Sequence, residues 1–208
     1  MSKTFKTDQE AFWAGEFGKD YSRRNVGTKL LAGNCALFAQ VLRRTHDVRS
    51  VIEFGANIGM NLKAIRILAS AAEQAAIEIN PDAAKVLRES GDLEVFESSI
   101  LDFTPKRTWD LVLVKGVLIH IDPEELTAVY KKLFESSARY IVVAEYYNPT
   151  PVTVPYRGHV DRLFKRDFAG ELLDAFPSLK LLDYGFSYHR DPNFAQDDIT
   201  WFLLEKRP

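Results

Sequence analysis

Short β-branched or apolar segments alternate with segments of helical periodicity between residues 50 and 145. The predicted strands lie at residues 50–54, 75–79, 93–96, 110–114 and 140–144. Helical patterns of about 10–15 residues between strands are typical of βαβ units, whose successive strands lie parallel in one sheet. This alternation therefore restricts the chain to an α/β fold built on a mostly parallel sheet.

Helical patterns precede the first strand. Residues 7–10 fit a capping box, and an aromatic stripe at helical spacing follows until a break at residues 25–27. Thr28 is placed to cap a second helix. The stripe consists of Phe12, Trp13, Phe17 and Tyr21. We expect this stripe to pack against other helices.

The alternation lapses after residue 145, where three prolines between residues 149 and 155 indicate an irregular segment. A helix is predicted over residues 167–176, followed by strands at residues 180–184 and 199–204. No helical pattern separates these two strands, so we expect them to form an antiparallel hairpin at an edge of a seven-stranded sheet.

A length of 208 residues supports one hydrophobic core, so we predict a single domain. The expected parts are N-terminal helices at residues 1–47, a ligand-binding core at 48–145, a lid with a helix at 146–178 and a C-terminal hairpin at 179–208.

The composition disfavours several classes of function. The 27 basic and 29 acidic residues give a net charge of −2, which argues against binding to nucleic acid. Cys35 is the single cysteine, so an intrachain disulfide and a cysteine metal site are excluded, and the four histidines lack metal-ligand spacing. No apolar run approaches the about 20 residues of a membrane span, and the start lacks the apolar core of a signal peptide. We therefore expect a cytoplasmic protein without a resident metal.

The first predicted strand leads into a turn that contains Gly55 and Gly59 and is followed by a helix. Glycine permits a tight turn and the close approach of a ligand to the backbone. A dinucleotide fingerprint beginning at Gly55 would require glycine where the chain has Asn57 and Met60. Glu53 beside the turn would repel a pyrophosphate and attract a cationic ligand. The turn therefore favours a ligand other than a dinucleotide.

The spacing of Glu53, Gly55 and Gly59 on a strand, turn and helix resembles motif I of class I S-adenosylmethionine (SAM)-dependent methyltransferases. The resemblance implies a Rossmann-like fold, SAM as the cofactor and a turn that meets the amino-acid end of the cofactor. Asn57 stands where this family usually has a middle glycine.

Further candidate residues follow the next predicted strands. The Glu78 carboxylate can accept hydrogen bonds from both ribose hydroxyls, and the resemblance implies this role. Ser99 and Ile100 match the segment that lines the adenine, where the family often has Asp at the position of Ser99. Lys115 and Gly116 match the segment whose backbone meets the methionine end. The predicted cofactor-binding residues are Tyr21, Glu53, Gly55, Ala56, Asn57, Gly59, Glu78, Ile79, Ser99, Ile100, Lys115 and Gly116.

Nearly the whole chain is similar to the methylases associated with pseudaminic acid biosynthesis. The similar segments lie at residues 12–18, 51–61, 115–121, 144–149, 155–159, 164–168 and 188–194. The family pattern also supports a role for Tyr21 in covering the cofactor.

The irregular segment at residues 145–166, called the lid segment below, is the predicted site of the methyl acceptor. Aromatic faces combined with Asn and Arg suit a sugar, an amino-acid derivative or an anionic group. The predicted acceptor-binding residues are Tyr146, Tyr147, Asn148, Arg157, His159, Arg162 and His189.

Methyl transfer from a sulfonium is an in-line displacement, so the protein supplies positioning and, for a protonated acceptor, a base. His120 and His159 are alternative candidates for the base, and Tyr146 is a further catalytic candidate. His120 is equally compatible with a packed residue at the start of a helix.

The predicted function is O- or N-methylation of a small molecule. The alternatives are methylation of a peptide or protein, an NAD-dependent oxidoreductase and a SAM-binding protein without catalysis. The sequence predicts neither the identity of the acceptor nor an oligomeric state.

Overall fold

A computed structural model describes residues 5–207 of the chain. Residues 1–4 and Pro208 lie outside the described residues. The expectation that the chain begins without a signal peptide therefore falls partly on residues that the structure does not describe. The helices and strands are, in chain order, α1 (Asp8–Ala14), α2 (Glu16–Arg24), α3 (Thr28–Leu42), β1 (Ser50–Phe54), α4 (Met60–Leu68), β2 (Glu73–Glu78), α5 (Pro81–Glu89), β3 (Glu94–Glu97), β4 (Trp109–Lys115), α6 (Leu126–Ser136), β5 (Ser137–Glu145), β6 (Val152–Thr153), β7 (Phe164–Lys165), α7 (Phe168–Ala175), β8 (Leu179–Ser187) and β9 (Ile199–Lys206).

The main sheet has seven strands in the order β3-β2-β1-β4-β5-β9-β8. Strands β1 to β5 are parallel, whereas β9 runs antiparallel between β5 and β8. The predicted mostly parallel sheet with an antiparallel hairpin at its edge is therefore confirmed. The strand order reverses direction between β1 and β4, which is the switch point where open α/β sheets form a crevice for ligands.

Both faces of the sheet are buried under helices. Ile52 and Phe54 of β1 belong to one hydrophobic cluster, whereas Val51 belongs to a second cluster on the opposite face. Val112 and Leu113 of β4 divide in the same way. Successive side chains of a strand point to opposite faces, so these continuous apolar runs supply two cores.

The N-terminal region differs in detail from the prediction. The capping box is present, because Thr7 accepts from the backbone of Glu10 and the Glu10 side chain accepts from the backbone of Thr7. The chain then breaks at Gly15, which is extended, so the single helix expected before residue 25 is two helices, α1 and α2. Gly27 precedes α3 at a φ of 110°, and Thr28 is the first helical residue rather than the cap.

The lid segment is irregular, as predicted, apart from the two-residue strands β6 and β7, which pair with each other. In the part of the chain that the structure describes, no helix is long and apolar enough to cross a membrane.

Candidate active site

A cavity of about 510 Å³ lies at the carboxyl ends of β1 to β4, with α1 and α2 on its other side. Ten of the twelve predicted cofactor-binding residues line it. These residues are Tyr21, Gly55, Ala56, Asn57, Glu78, Ile79, Ser99, Ile100, Lys115 and Gly116. Glu53 and Gly59 lie outside the lining of this cavity.

The turn after β1 has a backbone that favours glycine. Gly55 has a φ of 74°, and a Cβ at this position would lie 2.7 Å from Cγ2 of Val117. Gly59 has a φ of 77° and directly precedes α4. Asn57 also adopts a positive φ, of 50°. Asparagine tolerates this left-handed region better than most residues, which explains how it replaces the usual middle glycine.

The Glu78 carboxylate joins the turn to the start of α5. Its Oε2 accepts a hydrogen bond from the backbone N–H of Asn57, and its Oε1 accepts one from the backbone N–H of Asn80, both at 2.7 Å. Burial raises the pKa of Glu78, and the backbone donors oppose this shift. Each carboxylate oxygen has a further lone pair, so the group can still accept hydrogen bonds from a ligand.

Glu53 is fully buried behind the cavity wall. Its Oε1 accepts from Nδ2 of Asn61 at 2.6 Å, while its Oε2 has no hydrogen-bond partner among residues 5–207. Burial raises the pKa of Glu53 to about 8, opposed by Asn61 and by the charge of Lys115. Asn61 and Lys115 line the cavity. Glu53 therefore influences the cavity indirectly, through its hydrogen bond with Asn61 and its electrostatic interaction with Lys115.

Glu145 ends β5 and organises the segment after β4. Its Oε1 accepts from the backbone N–H groups of Val117 and Leu118, each at 2.9 Å. Burial raises the pKa of Glu145 to about 7, against the effect of these donors and of Lys115. Burial lowers the pKa of Lys115 itself, and the nearby Glu53, Asp197 and Glu145 oppose this shift.

The segment after β3 contacts α1. Ser99 Oγ donates a hydrogen bond to Oε1 of Glu10 and accepts one from the backbone N–H of Leu101 at 2.9 Å. Glu10 and Ser99 are both buried and both line the cavity, together with Ile79 and Ile100.

Helices α1 and α2, called the N-terminal cover below, are attached to the sheet by polar contacts. Ser22 Oγ donates to Oδ1 of Asn57 at 2.5 Å. Asn80, which caps α5, donates through Nδ2 to the carbonyl oxygens of residues 13, 14 and 15 at 3.1–3.3 Å. The cover is thus connected to the turn and to the start of α5.

The aromatic stripe divides between two environments. Trp13 and Tyr21 line the cavity, whereas Phe12 and Phe17 stack on each other outside it with ring centroids 4.1 Å apart. The expected helix-packing face therefore describes Phe12 and Phe17 but not Trp13, while Tyr21 lies in the cavity lining, where its predicted role in covering the cofactor requires it. The break at Gly15 was not anticipated, and a single continuous helix was the basis of that expectation.

His120 lines the cavity between two aromatic rings. Its ring centroid lies 4.5 Å from Trp13 and 5.0 Å from Tyr156. Nδ1 lies 2.5 Å from the carbonyl oxygen of Arg162. Because a carbonyl oxygen only accepts, Nδ1 carries the proton and Nε2 keeps a free lone pair. Burial lowers the pKa of His120 to about 4, so the ring is neutral at pH 7.

The structure separates the predicted acceptor residues into two groups. Tyr146 and Arg157 line the cavity, whereas the other predicted residues lie outside its lining. These other residues are Tyr147, Asn148, His159, Arg162 and His189. Arg162 contacts the site through its carbonyl oxygen, which lies next to Nδ1 of His120.

Three other residues of that second group have contacts elsewhere. His159 is exposed and packs edge-on against Phe12, at a centroid distance of 5.0 Å. Asn148 donates to the carbonyl oxygen of Thr150 at 2.6 Å. His189 is paired with Asp198, with Nδ1 2.8 Å from the carboxylate.

Several cavity residues were not predicted from the sequence. Tyr156 and Asp197 line the cavity. Burial raises the pKa of Tyr21 and of Tyr146, and the negative charge of Asp197 adds to both shifts. Tyr156 lies in the similar segment at residues 155–159 and directly precedes the predicted Arg157, and these were the signals that could have identified it. Asp197 lies between β8 and β9, where no periodicity marks it. Among residues 5–207, no group of three or more His, Cys, Asp or Glu residues is arranged to hold a metal ion.

The described chain superposes on solved methyltransferase structures. The 1,6-didemethyltoxoflavin-N1-methyltransferase of Burkholderia thailandensis, solved with 1,6-didemethyltoxoflavin and S-adenosylhomocysteine, matches with a TM-score of 0.70 and 14% identity, over 100% of this chain and 94% of that chain. The magnesium protoporphyrin IX methyltransferase of Synechocystis PCC 6803, solved with SAM, matches with a TM-score of 0.66 and 14% identity, over 99% and 100% of the two chains.

The mitomycin 7-O-methyltransferase matches with a TM-score of 0.67 and 13% identity over 96% of this chain. The match spans 61% of that protein, so this chain corresponds to about three fifths of its length. Neither a scan of protein-family models nor a search of curated proteins found a match. The structural likeness shows that the chain has the Rossmann-like fold of class I methyltransferases.

Proposed function

We propose that this protein is a SAM-dependent methyltransferase that modifies an oxygen or nitrogen atom of a small molecule. One observation carries the proposal: ten residues predicted from the sequence to bind the cofactor line one cavity at the switch point of the sheet. The names of the structural neighbours, which include N- and O-methyltransferases, support the same class.

The residues of the cavity fit SAM. Gly55 offers bare backbone where a Cβ would collide with Val117. The Glu78 carboxylate faces the cavity from the end of β2, as ribose binding requires. Lys115 lines the same cavity as the turn, and the positive charge of its protonated side chain would complement the carboxylate of a methionine end. We propose that the backbone at Gly55 contacts the amino-acid end of SAM and that Glu78 binds its ribose. Lys115 binds the carboxylate of the methionine end.

When bound, SAM supplies an electrophilic methyl group on a sulfonium. We propose that Nε2 of His120 receives the proton of the acceptor hydroxyl or amine, because the Arg162 carbonyl holds the proton at Nδ1. Trp13 and Tyr156 hold the imidazole ring in place from two sides. Burial raises the pKa of Tyr146, which therefore stays a phenol that donates a hydrogen bond to the acceptor.

The walls of the acceptor half suggest a polar ring-containing acceptor. Tyr146 and Tyr156 provide aromatic faces, while Arg157 and Asp197 provide one charge of each sign. Such a set suits a sugar or an amino-acid derivative. The similarity of the sequence to methylases associated with pseudaminic acid biosynthesis favours the sugar, and we propose a sugar derivative as the first acceptor to assay.

Calorimetric titration with S-adenosylhomocysteine tests the proposal. Glu78→Ala should weaken binding roughly 10- to 150-fold, the scale of hydrogen bonds to a charged group. Glu73→Ala is the matched control, because Glu73 lies at the opposite end of the same strand and is exposed. Equal affinities of the wild type and Glu78→Ala would remove Glu78 from the site.

A methyl-transfer screen over sugar nucleotides, amino acids and peptides tests the acceptor class. Labelled methyl transferred to a sugar or an amino-acid derivative would support it. Transfer to peptides alone would contradict the proposed acceptor, and binding of NAD without binding of S-adenosylhomocysteine would contradict the proposed cofactor.

A further inference from the structure

A carboxylate of the N-terminal cover reaches the cavity from outside the sheet. Glu10 of α1 is 7% exposed and lines the cavity. Its Oε2 accepts from the backbone N–H groups of Lys6 and Thr7, at 2.7 and 3.0 Å. A capping-box glutamate needs one oxygen for these N-terminal donors. The other oxygen, Oε1, accepts a hydrogen bond from the hydroxyl of Ser99, which follows β3.

The strand order places this carboxylate at one end of an extended ligand. The β1 turn, Glu78 at the end of β2 and Ser99 after β3 follow each other across neighbouring strands. A nucleoside with its ribose at Glu78 and its amino-acid end at the turn therefore has its base over the end of β3. The apolar side chains of Ile79 and Ile100 line this part of the cavity and suit the faces of a flat ring.

We infer that Glu10 accepts a hydrogen bond from the 6-amino group of the adenine and so selects a 6-amino purine over a 6-oxo purine. This inference rests on the proposed function. A carboxylate oxygen only accepts hydrogen bonds, and an exocyclic amine donates them, whereas the carbonyl of a 6-oxo purine presents a second acceptor. The Ser99 hydroxyl occupies one lone pair of Oε1 and fixes the orientation of the carboxylate, which leaves its second lone pair for the base.

The test compares two ligands that differ only at position 6 of the purine, S-adenosylhomocysteine and its deaminated form, S-inosylhomocysteine. The wild type should bind the adenine ligand at least about 10-fold more tightly than the oxo form. The oxo form loses a hydrogen bond, and its carbonyl oxygen would face the Glu10 carboxylate, which is also a hydrogen-bond acceptor. In Glu10→Gln the side-chain amide can present either a donor or an acceptor, so the ratio should fall to within about threefold. Glutamine also serves in a capping box, so α1 is retained.

Thr7→Ala is the control for a purely structural role. It removes the other half of the capping box and leaves the Glu10 carboxylate in place. Thr7→Ala should therefore change the affinities for both ligands together and keep their ratio. Ser99→Ala serves as the second variant if Glu10→Gln does not fold, because loss of the hydroxyl that orients Oε1 should also lower the ratio.

The outcomes separate the two hypotheses. An unchanged ratio in a folded Glu10→Gln variant would overturn the inference about Glu10 while leaving SAM binding intact. Equal binding of both ligands by the wild type would do the same. A wild-type protein that binds neither ligand would overturn the proposed function and, with it, this inference.

Discussion

Replacement of Gly55 by alanine should destabilise the protein by about 2–5 kcal/mol through two separate costs. The φ of 74° lies in the left-handed region, which costs a residue with a side chain about 1–2 kcal/mol. The new Cβ would also lie 2.7 Å from Cγ2 and 3.1 Å from Cγ1 of Val117, and overpacking of this kind costs about 1–3 kcal/mol. Val117 is branched at Cβ and therefore has few alternative χ1 rotamers through which it could avoid the new Cβ.

Two further variants separate these costs. Gly91 has a φ of 71° and nothing within 4 Å of an added Cβ, so Gly91→Ala should show the backbone cost alone, about 1–2 kcal/mol. In the double variant Gly55→Ala with Val117→Ala, the steric clash is absent. Its loss of unfolding free energy should therefore be smaller than the sum of the losses in the two single variants. Urea unfolding gives each free energy, and an unchanged m-value shows that the denatured state is comparable.

Equal losses of stability in Gly55→Ala and Gly91→Ala would refute the close approach of Val117 to the turn. An additive double variant would refute it independently, because residues without contact show no coupling energy. A coupled pair with weakened binding of S-adenosylhomocysteine would instead connect the bare backbone at position 55 to the cofactor site.

Three other changes test the charges and the lid segment. Because burial lowers the pKa of His120 to about 4, the unfolded chain binds more protons than the folded one between pH 4 and the ordinary value of 6.5. Stability should therefore rise with pH across this window, by about 3 kcal/mol, and His120→Gln should lack the rise in urea titrations at each pH. Burial raises the pKa of Glu53 to about 8, so the wild type should lose stability between pH 4.5 and 8 relative to Glu53→Gln, and parallel curves would contradict this. Tyr146→Phe should lower methyl transfer about 10-fold with little change in the affinity for S-adenosylhomocysteine, whereas the neighbouring Tyr147→Phe should change neither.

The sequence predicted the sheet well because buried parallel strands are continuous apolar runs. The first strand has the predicted limits at residues 50–54, and the apolar cores of β2 to β5 fall within their predicted segments. Glu78 could be placed because it ends such a run, and the end of a parallel strand fixes a position at the crevice.

The part of the cavity that we propose for the acceptor was less predictable because it depends on irregular backbone and on distant contacts. Tyr146 and Tyr147 are adjacent and chemically identical, yet only Tyr146 lines the cavity, and no periodicity in the lid segment distinguishes them. Glu10 was identified as a cap because capping is local. Its contact with Ser99 joins residues 89 positions apart, and nothing in the local pattern indicates it.

The N-terminal cover connects the two ends of the cavity mechanically. Glu10 contacts Ser99 at the β3 end, and Trp13 packs on His120 at the other end. Three residues of α-helix separate the two side chains by about 4.5 Å along the axis, less than one turn. Any tilt or translation of α1 as a rigid rod therefore shifts both contacts together. Given the roles that we propose for Glu10 and His120, insertions or deletions that move α1 would alter nucleoside preference and acceptor chemistry simultaneously. Point substitutions at Glu10 or Trp13 would then change the two properties one at a time.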